Sequence, residues 1–464
     1  VIRELRKWLE TKLECTEVHT PILAANAGGA VARPFTTNAT EFPEKQLALR
    51  IAPELWLKRL VVAGFDRIYE IGPAFRNEGL DATHNPEFTM CEFYVSHINL
   101  EQVMQETKDM FFDLANSVAK FKAEHDLSTL QSPDPKVFAR DWQVIDFIPA
   151  INMELGSPLP RLDNNPNAVQ EIIKLLEDRG KDWHKSLPPN PSLPKLLDRI
   201  AAAVLEPQSK GRPIFITKHP ACMSPLAKTF TDNFTKQFVS ARAEVFFDGN
   251  ELANMYEEEN SPYVQRLKFV DQAKAKLAQQ QRATPGEQPL GDEDDEPAHV
   301  IDEQYISVLE SGLPPTAGWG CGVDRLVMMF TGAGRISEVL PFGNLRNVVG
   351  LASTGPQNHE RKKEDIDSNS GSVSTIDVAG AAEVQIFERE ELEKAVEVGK
   401  ETIFPTGEVE QSGSRAGRDG PALVIEPESA AGPDDTEQAD QPESANRKKR
   451  AADEALNYIM GERP

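Results

Sequence analysis

The stretch "FRNEGLDATHNPEFTM", residues 75–90, sets an arginine, two glutamates, a histidine and two asparagines between apolar flanks. The flanking segments "RIYEIGPAFRNE" and "NPEFTMCEFYV" read as strands, with residues 79–85 as the loop between them. A loop of about seven residues joins antiparallel strands, whereas a parallel pair needs a crossover of a dozen or more. Side chains alternate along a strand, so Arg76 and Glu78 are expected on one face of the first arm. By the same rule Phe88, Met90, Glu92 and Tyr94 share one face of the second arm. With both sets on one side, the hairpin offers a guanidinium, an aromatic plane and two carboxylates. Such a surface suits a ligand with a phosphate, a flat base and a cationic group, because the arginine fork grips two oxygens at once. The alternative is an internal salt-bridge network on the sheet.

Two further segments bear on that choice. In "EVFFDGNELANMYEEEN", Glu244 and Glu251 lie on adjoining segments, while Asn254, Tyr256 and Glu258 occupy alternate positions. Two carboxylates facing a phosphate make a station for Mg²⁺, which prefers oxygen ligands and shares them with nucleotides. An acidic strand is otherwise a solvated edge. "GWGCGVDR" passes from a glycine-rich strand into a helix, putting glycines where a backbone approaches closely and Arg325 at the helix start. Glycine-rich strand-to-helix joints are also common in folds that bind nothing there.

Composition narrows the class. The 464 residues are 39% hydrophobic with a mean hydropathy of -0.44, as in a soluble globular protein with a polar segment attached. No apolar run approaches the ~20 residues that cross a bilayer. The four cysteines, Cys15, Cys91, Cys222 and Cys321, form no CxxC pair, so neither a disulfide framework nor a zinc site is expected. Any metal should be a hard ion held by carboxylates. The net charge of -24 argues against diffuse nucleic-acid binding over the whole surface. Residues 351–464 hold 25 acidic and 13 basic side chains, about half of that excess, which leaves room for local basic surface elsewhere.

Along the chain, "VIRELRKWLE" begins inside an amphipathic pattern, and the expectation is a true N-terminus upstream of Val1. Residues 47–51 read as a short strand and a helix starts near Pro53, where proline suits the first turn. Residues 100–121 are amphipathic and helical. Residues 150–210 read as a helical insertion containing "NAVQEIIKLLEDRG" and "LPKLLDRIAAAVLE". Strands resume at "PIFITKHP" and "ARAEVFFDGNELANMYEE", and a helix at residues 263–281 precedes an acidic loop. The domain plan is one large domain over 1–352 and an acidic, low-complexity, mostly disordered tail over 353–464. The fold class is α+β, an antiparallel sheet flanked by helices.

Taken together, these segments resemble the motifs of class II aminoacyl-tRNA synthetases, and most closely the lysyl-tRNA synthetases. "TEVHTPIL" resembles the first motif, a dimer-interface element ending in Pro21. "FRNEG…THNPEFTMCEFY" resembles the second and "GLPPTAGWGCGVDR" the third. "GGAVARPF", "LRIAPELWLKRLVVAGFDRIYEIG" and "SPLAK" are similar to lysyl-enzyme sequence, and "APELWLKRL", "GFDRIYEIG" and "SEVLPFGNL" resemble the fungal mitochondrial branch.

The resemblance implies roles. Arg76 would meet the ATP α-phosphate and the lysine carboxylate, Phe88 would stack on adenine, and Glu78, His84 and Asn85 would lie around the nucleotide. Arg325 would hold the γ-phosphate and the other adenine face, with Glu244 and Glu251 on Mg²⁺. Gly29 and Glu54 would take the α-ammonium of lysine. Glu92, Tyr94 and Glu258 would receive its ε-ammonium, with Asn254 and Tyr256 lining the pocket. Arg76 and Arg325 would be the catalytic pair, with no general base assigned. The implied partners are ATP, L-lysine, tRNA(Lys) and a second copy of the chain, with no membrane, in the mitochondrial matrix or else the cytoplasm. Ala253 and Met255 replace two glycines of the family pattern and are expected to reshape the lysine pocket. Thr83 matches the eukaryotic form. The anticodon-reading barrel is absent from this chain. Lysyl transfer to a protein lysine, or a non-catalytic regulatory paralogue, is the alternative. "NRKKR" at 446–450 is read as solvated charge.

Overall fold

The computed structural model describes residues 1–25, 28, 32–139, 141–282 and 302–350, the side chains of 275–282 excepted. The chain divides into two compact units, Val1–Arg361 and Lys362–Pro464. The second, like the acidic loop and tail read from the sequence, lies outside the described residues.

The first unit is built on an eight-stranded sheet. Its strands in chain order are β1 (Thr16–Glu17), β2 (Arg67–Phe75), β3 (Glu87–Ser96), β4 (Gln143–Asp146), β5 (Ile214–Thr217), β6 (Arg242–Phe247), β7 (Asn250–Glu257) and β8 (Thr316–Gly322). They lie side by side in the order β1-β2-β3-β8-β7-β6-β5-β4. The central pairings are antiparallel, as expected from the short hairpin loop, but β1 with β2 and β4 with β5 are parallel. Each parallel pair brings an edge strand in after a long connection, which sequence spacing alone did not reveal. A separate three-stranded sheet contains Phe42–Leu49, longer than the strand expected at 47–51.

Helix α1 (Ile2–Thr11) buries Leu5, Trp8 and Leu9 of the apolar positions at helical spacing, while Ile2 in its first turn is exposed. Pro53 caps α2 (Glu54–Val62). Helix α3 (Leu100–Glu124) starts at a capping box in which Asn99 and Gln102 each accept the other's backbone N–H at 2.9 Å. Its buried face, from Val103 through Phe111 to Leu114, packs with Phe93, Met255 and Trp319 on one side of the sheet. Full burial of each such side chain contributes about 1.5–3 kcal/mol. The segment between β4 and β5 supplies α4 (Phe147–Leu155), α5 (Ala168–Asp178) and α6 (Leu193–Val204), which share a second core with Ile145, Ile214 and Ile216 of β4 and β5. Helices α7 (Pro262–Arg282), α8 (Glu303–Glu310) and α9 (Val323–Thr331) follow. On the sheet face opposite α3, Tyr94 meets Leu55 and Leu57 of α2 and Tyr305 of α8. That second face carries the site.

Candidate active site

Alternation sorts β3 as expected. Cys91, Phe93 and Val95 enter the core beneath α3, leaving Phe88, Met90, Glu92 and Tyr94 on the other face. On the neighbouring β8, Trp319 and Cys321 join that core, and Trp319 stacks on Phe93 with centroids 5.1 Å apart. Gly318 and Gly320 therefore point toward the site. A Cβ at Gly318 would overlap the Glu258 carboxylate and the Tyr94 ring, and one at Gly320 would come 3.4 Å from Glu92 Cγ. The alternating glycines make room for the acidic side chains of the site itself.

The β6–β7 hairpin turns at Asp248 and Gly249, with φ of 48° and 76°, the double left-handed geometry of a tight hairpin turn. A bulge interrupts β7. Val245 pairs with Ala253 and Phe246 with Glu251, leaving Leu252 without a cross-strand partner. The extra residue moves Glu251 onto the same face as Asn254 and Tyr256, which plain alternation would have denied it. Ala253 and Met255 face the α3 core, where Met255 Sδ accepts from the Thr107 hydroxyl at 3.7 Å. The expectation that they reshape the lysine pocket is therefore corrected: they lie on the wrong side of the sheet.

Three clusters lie along this face. In the first, the Arg76 guanidinium carbon is 5.2 Å from the Phe88 ring centroid, and its Nε donates to the Ile51 carbonyl at 3.4 Å. Strand β2 ends at Phe75, although Arg76 N–H still donates to the Pro86 carbonyl at 2.8 Å. Glu78 thus lies in the loop, and the expected shared strand face with Arg76 does not apply. Arg325, in the first turn of α9, donates to His84 Nε2 at 2.6 Å, and His84 Nδ1–H donates to Asp81 at 2.7 Å. Asp81 also accepts the N–H groups of Thr83 and His84, so the loop holds Arg325 through a charged relay. Asn85 donates to the Glu87 carbonyl at 2.6 Å and accepts from Leu345 N–H at 3.0 Å, so its amide anchors the chain after α9.

The second cluster is acidic and cationic. Glu244 bonds Arg242 and accepts from His219 Nε2 at 2.9 Å. Burial alone would raise its pKa, but Arg242 and His219 outweigh it and hold the carboxyl at about 2. Glu251 is instead pushed up to about 7, first by burial and then by the charge of Glu244. Arg242 Nε also donates to Asn254 at 3.2 Å, and Asn254 donates to the Tyr256 hydroxyl at 3.1 Å. Arg242 and His219 escaped the sequence reading; the signal available was the i,i+2 spacing of Arg242 to Glu244 on one strand.

The third cluster is the most buried. Glu54, Glu92 and Glu258 are 4%, 4% and 0% exposed. Tyr94 donates to Glu92 at 3.2 Å. Glu92 is raised well above the usual carboxylate range by burial and by the charge of Glu54. Lys58, fully buried, bonds Glu54 at 2.5 Å and pairs with Glu258. Burial raises the Glu258 carboxyl, and Lys58 together with a backbone hydrogen bond from Gly318 opposes it. Arg76 links the clusters, because its charge lowers the pKa of both Glu251 and Glu92. Gly29 lies outside the described residues. Ala253 and Met255 apart, the other candidate site residues fall on or beside this one face.

The arrangement can grip an anion with two guanidiniums, sandwich a flat ring and seat a cation in a dry acidic pocket. Residues 1–346 match the family described as tRNA synthetases class II (D, K and N), and the chain belongs to that family. Its relatives include the mitochondrial lysine–tRNA ligase of Schizosaccharomyces pombe, 40% identical over 351 residues that cover 75% of this chain and 61% of that protein. The mitochondrial lysine–tRNA ligase of Saccharomyces cerevisiae is 38% identical over 363 residues, covering 75% and 59%. The lysine–tRNA ligase of Clostridium tetani is 35% identical over 356 residues, covering 75% and 63%. The chain spans about three-fifths of the length of these relatives.

Proposed function

We propose that this chain is the catalytic part of a lysine–tRNA ligase. The observation that carries the reading is the joining of a buried three-carboxylate pocket to an Arg76–Phe88 clamp on one face of the sheet. An ammonium of pKa near 10.4 needs carboxylates to offset its desolvation, and a pocket built for it rejects neutral side chains. Glu92, Tyr94 and Glu258 would take the ε-ammonium, and Glu54 the α-ammonium, with Gly29 assigned beside it by resemblance. Asn254 and Tyr256 would line the wall.

Adenine would stack on Phe88, with Arg325 on the other side and Glu78, His84 and Asn85 around it. Lysine carboxylate attacks the α-phosphorus of ATP in line, its attacking oxygen aligned by Arg76, and pyrophosphate leaves toward Arg325. The 3′-hydroxyl of the terminal adenosine of tRNA(Lys) then attacks the adenylate carbonyl, forming the ester as the bond to phosphate breaks, with release of AMP and the hydroxyl proton. Positioning and charge neutralisation by Arg76 and Arg325 carry both steps. The raised pKa of Glu251 beside Glu244 suits a divalent cation. Mg²⁺ would be held by these two carboxylates and the nucleotide oxygens, and would offset phosphate charge when bound.

Exposed Ile22, Leu23 and Phe42 support a homodimer. The two yeast relatives support a mitochondrial site of action. No helix among the described residues is long and apolar enough to cross a membrane. The test is ATP–pyrophosphate exchange with each of the twenty amino acids. Exchange dependent on lysine supports the reading; exchange driven by another amino acid, or none, overturns it.

A further inference from the structure

Burying an ammonium costs several kcal/mol unless the site needs the charge. Lys58 lies on the inward face of α2 at 0% exposure, where a leucine or methionine would pack. Its Nζ joins two carboxylates from distant parts of the chain, Glu54 one turn earlier and Glu258 just beyond β7. Glu92 completes the acidic set from β3. Three carboxylates and one ammonium leave a formal charge of two negatives, and a lysine molecule brings two ammoniums. Its carboxylate is left to Arg76.

We propose that Lys58 is a positioning residue for lysine recognition, an internal counter-ion that sets the charge of the pocket to match the two ammoniums of the substrate. This rests on the lysine reading above and adds a residue to it. Lys58 also fixes where the carboxylates point. Its grip on Glu258 Oε2 leaves Oε1 directed over Gly318. A substrate ammonium arriving there would meet an oxygen already oriented.

Other charged and titratable groups face this cluster. Tyr305 of α8 approaches Lys58 with its hydroxyl unpartnered among the described residues, and Tyr94 and Tyr256 border the carboxylates. Lys268 of α7 is paired with Glu259 at 2.7 Å, so its charge is already matched. Arg59 pairs with Asp302, and Arg76 acts on Glu92 from the nucleotide side. Within that set, Lys58 is the cation bonded to two of the three pocket carboxylates. Without it, the carboxyls would hold their protons to still higher pH, and lysine would have to displace more of them on binding. Lysine affinity would then weaken and depend more steeply on pH.

The experiment is pyrophosphate exchange on the whole chain, with lysine and ATP varied separately between pH 6 and 9. Lysine-dependent exchange by the unaltered protein is the control. Its absence refutes the lysine reading, whereas its presence isolates the role of Lys58. In Lys58→Met, kcat/KM for lysine should fall about tenfold or more at pH 7, with KM for ATP within about twofold. The acid limb of the lysine profile should move up by about 1–3 pH units. Lys58→Arg should recover most of the loss. The double variant Glu54→Gln/Lys58→Met restores the charge count by removing one of the two carboxylates that Lys58 pairs with, so it is measured even if the single variant does not fold. Its acid limb should return to that of the unaltered protein. A double variant whose limb stays displaced overturns the proposal. So does a folded Lys58→Met with an unmoved limb, or one in which lysine and ATP constants rise together.

Discussion

Gly318 lies directly beneath the Glu258 carboxylate and the Tyr94 ring, so that a single added methyl group would occupy the space of both. Glycine is required there by close approach, since no left-handed φ is recorded for it. The residue that looks like a backbone feature of a ligand-facing strand is a packing partner of the pocket's own acid. Gly318→Ala should cost about 1–3 kcal/mol of stability, the usual range for overpacking, and should raise KM for lysine while sparing KM for ATP. Urea unfolding and exchange kinetics read the two effects. Gly334, with open space around its Cα, is the control, and Gly334→Ala should change neither.

Arg76 makes its contacts with a carbonyl, a thioether and a ring, which leaves the guanidinium charge for a ligand anion. Arg76→Ala should lower lysine-dependent exchange by at least about a hundredfold, the scale seen when one donor to developing charge is removed. Circular dichroism and melting temperature should be those of the unaltered chain. Full exchange in a folded Arg76→Ala protein would remove this residue from the reaction.

The pocket carboxyls make the free protein sensitive to pH. Burial raises Glu258, Lys58 opposes and Glu54 adds, leaving it at about 8 against the usual 4.5. The folded state therefore holds a proton that the unfolded chain releases between those values. Stability from this group is present below pH 4.5 and is lost as pH rises toward 8. Melting temperature without substrate should decline from pH 5 to 8. The decline should be shallower in Glu258→Gln, and equal slopes in the two proteins would refute the shift.

A second buried pair tests stability away from the pocket. Arg50 and Glu70, 3% and 2% exposed, bond at 2.6 Å, and Glu70 also accepts from the Thr20 hydroxyl at 2.6 Å. Breaking one side of such a pair leaves an uncompensated charge, so Glu70→Ala should cost about 3–5 kcal/mol in urea unfolding. Replacing both partners, as in Arg50→Met/Glu70→Leu, should recover most of that loss. A single variant as stable as the double would show that the pair is solvated.

Much of the site was legible because it follows rules of short range. Period two assigns Phe88, Glu92 and Tyr94 to one face of β3, and the same period explains why Gly318 and Gly320 alternate with Trp319 and Cys321. Asp248-Gly249 announces the hairpin that carries Glu244 and Glu251. The short loop between β2 and β3 is compatible with an antiparallel pair. These are properties of neighbouring residues, and the sequence by itself determined them.

The tertiary structure decided what no local rule reaches. The bulge at Leu252 turned Glu251 toward the site and left Ala253 and Met255 in the core. The order β3-β8-β7 brought Glu258 and Glu92 to the same tyrosine, Tyr94, although more than 160 residues separate them in the chain. Only then does Lys58, one helical turn from Glu54, find its second carboxylate. Strand order and register depend on the summed packing of both sheet faces, and a buried charge acquires its partner only when that packing closes.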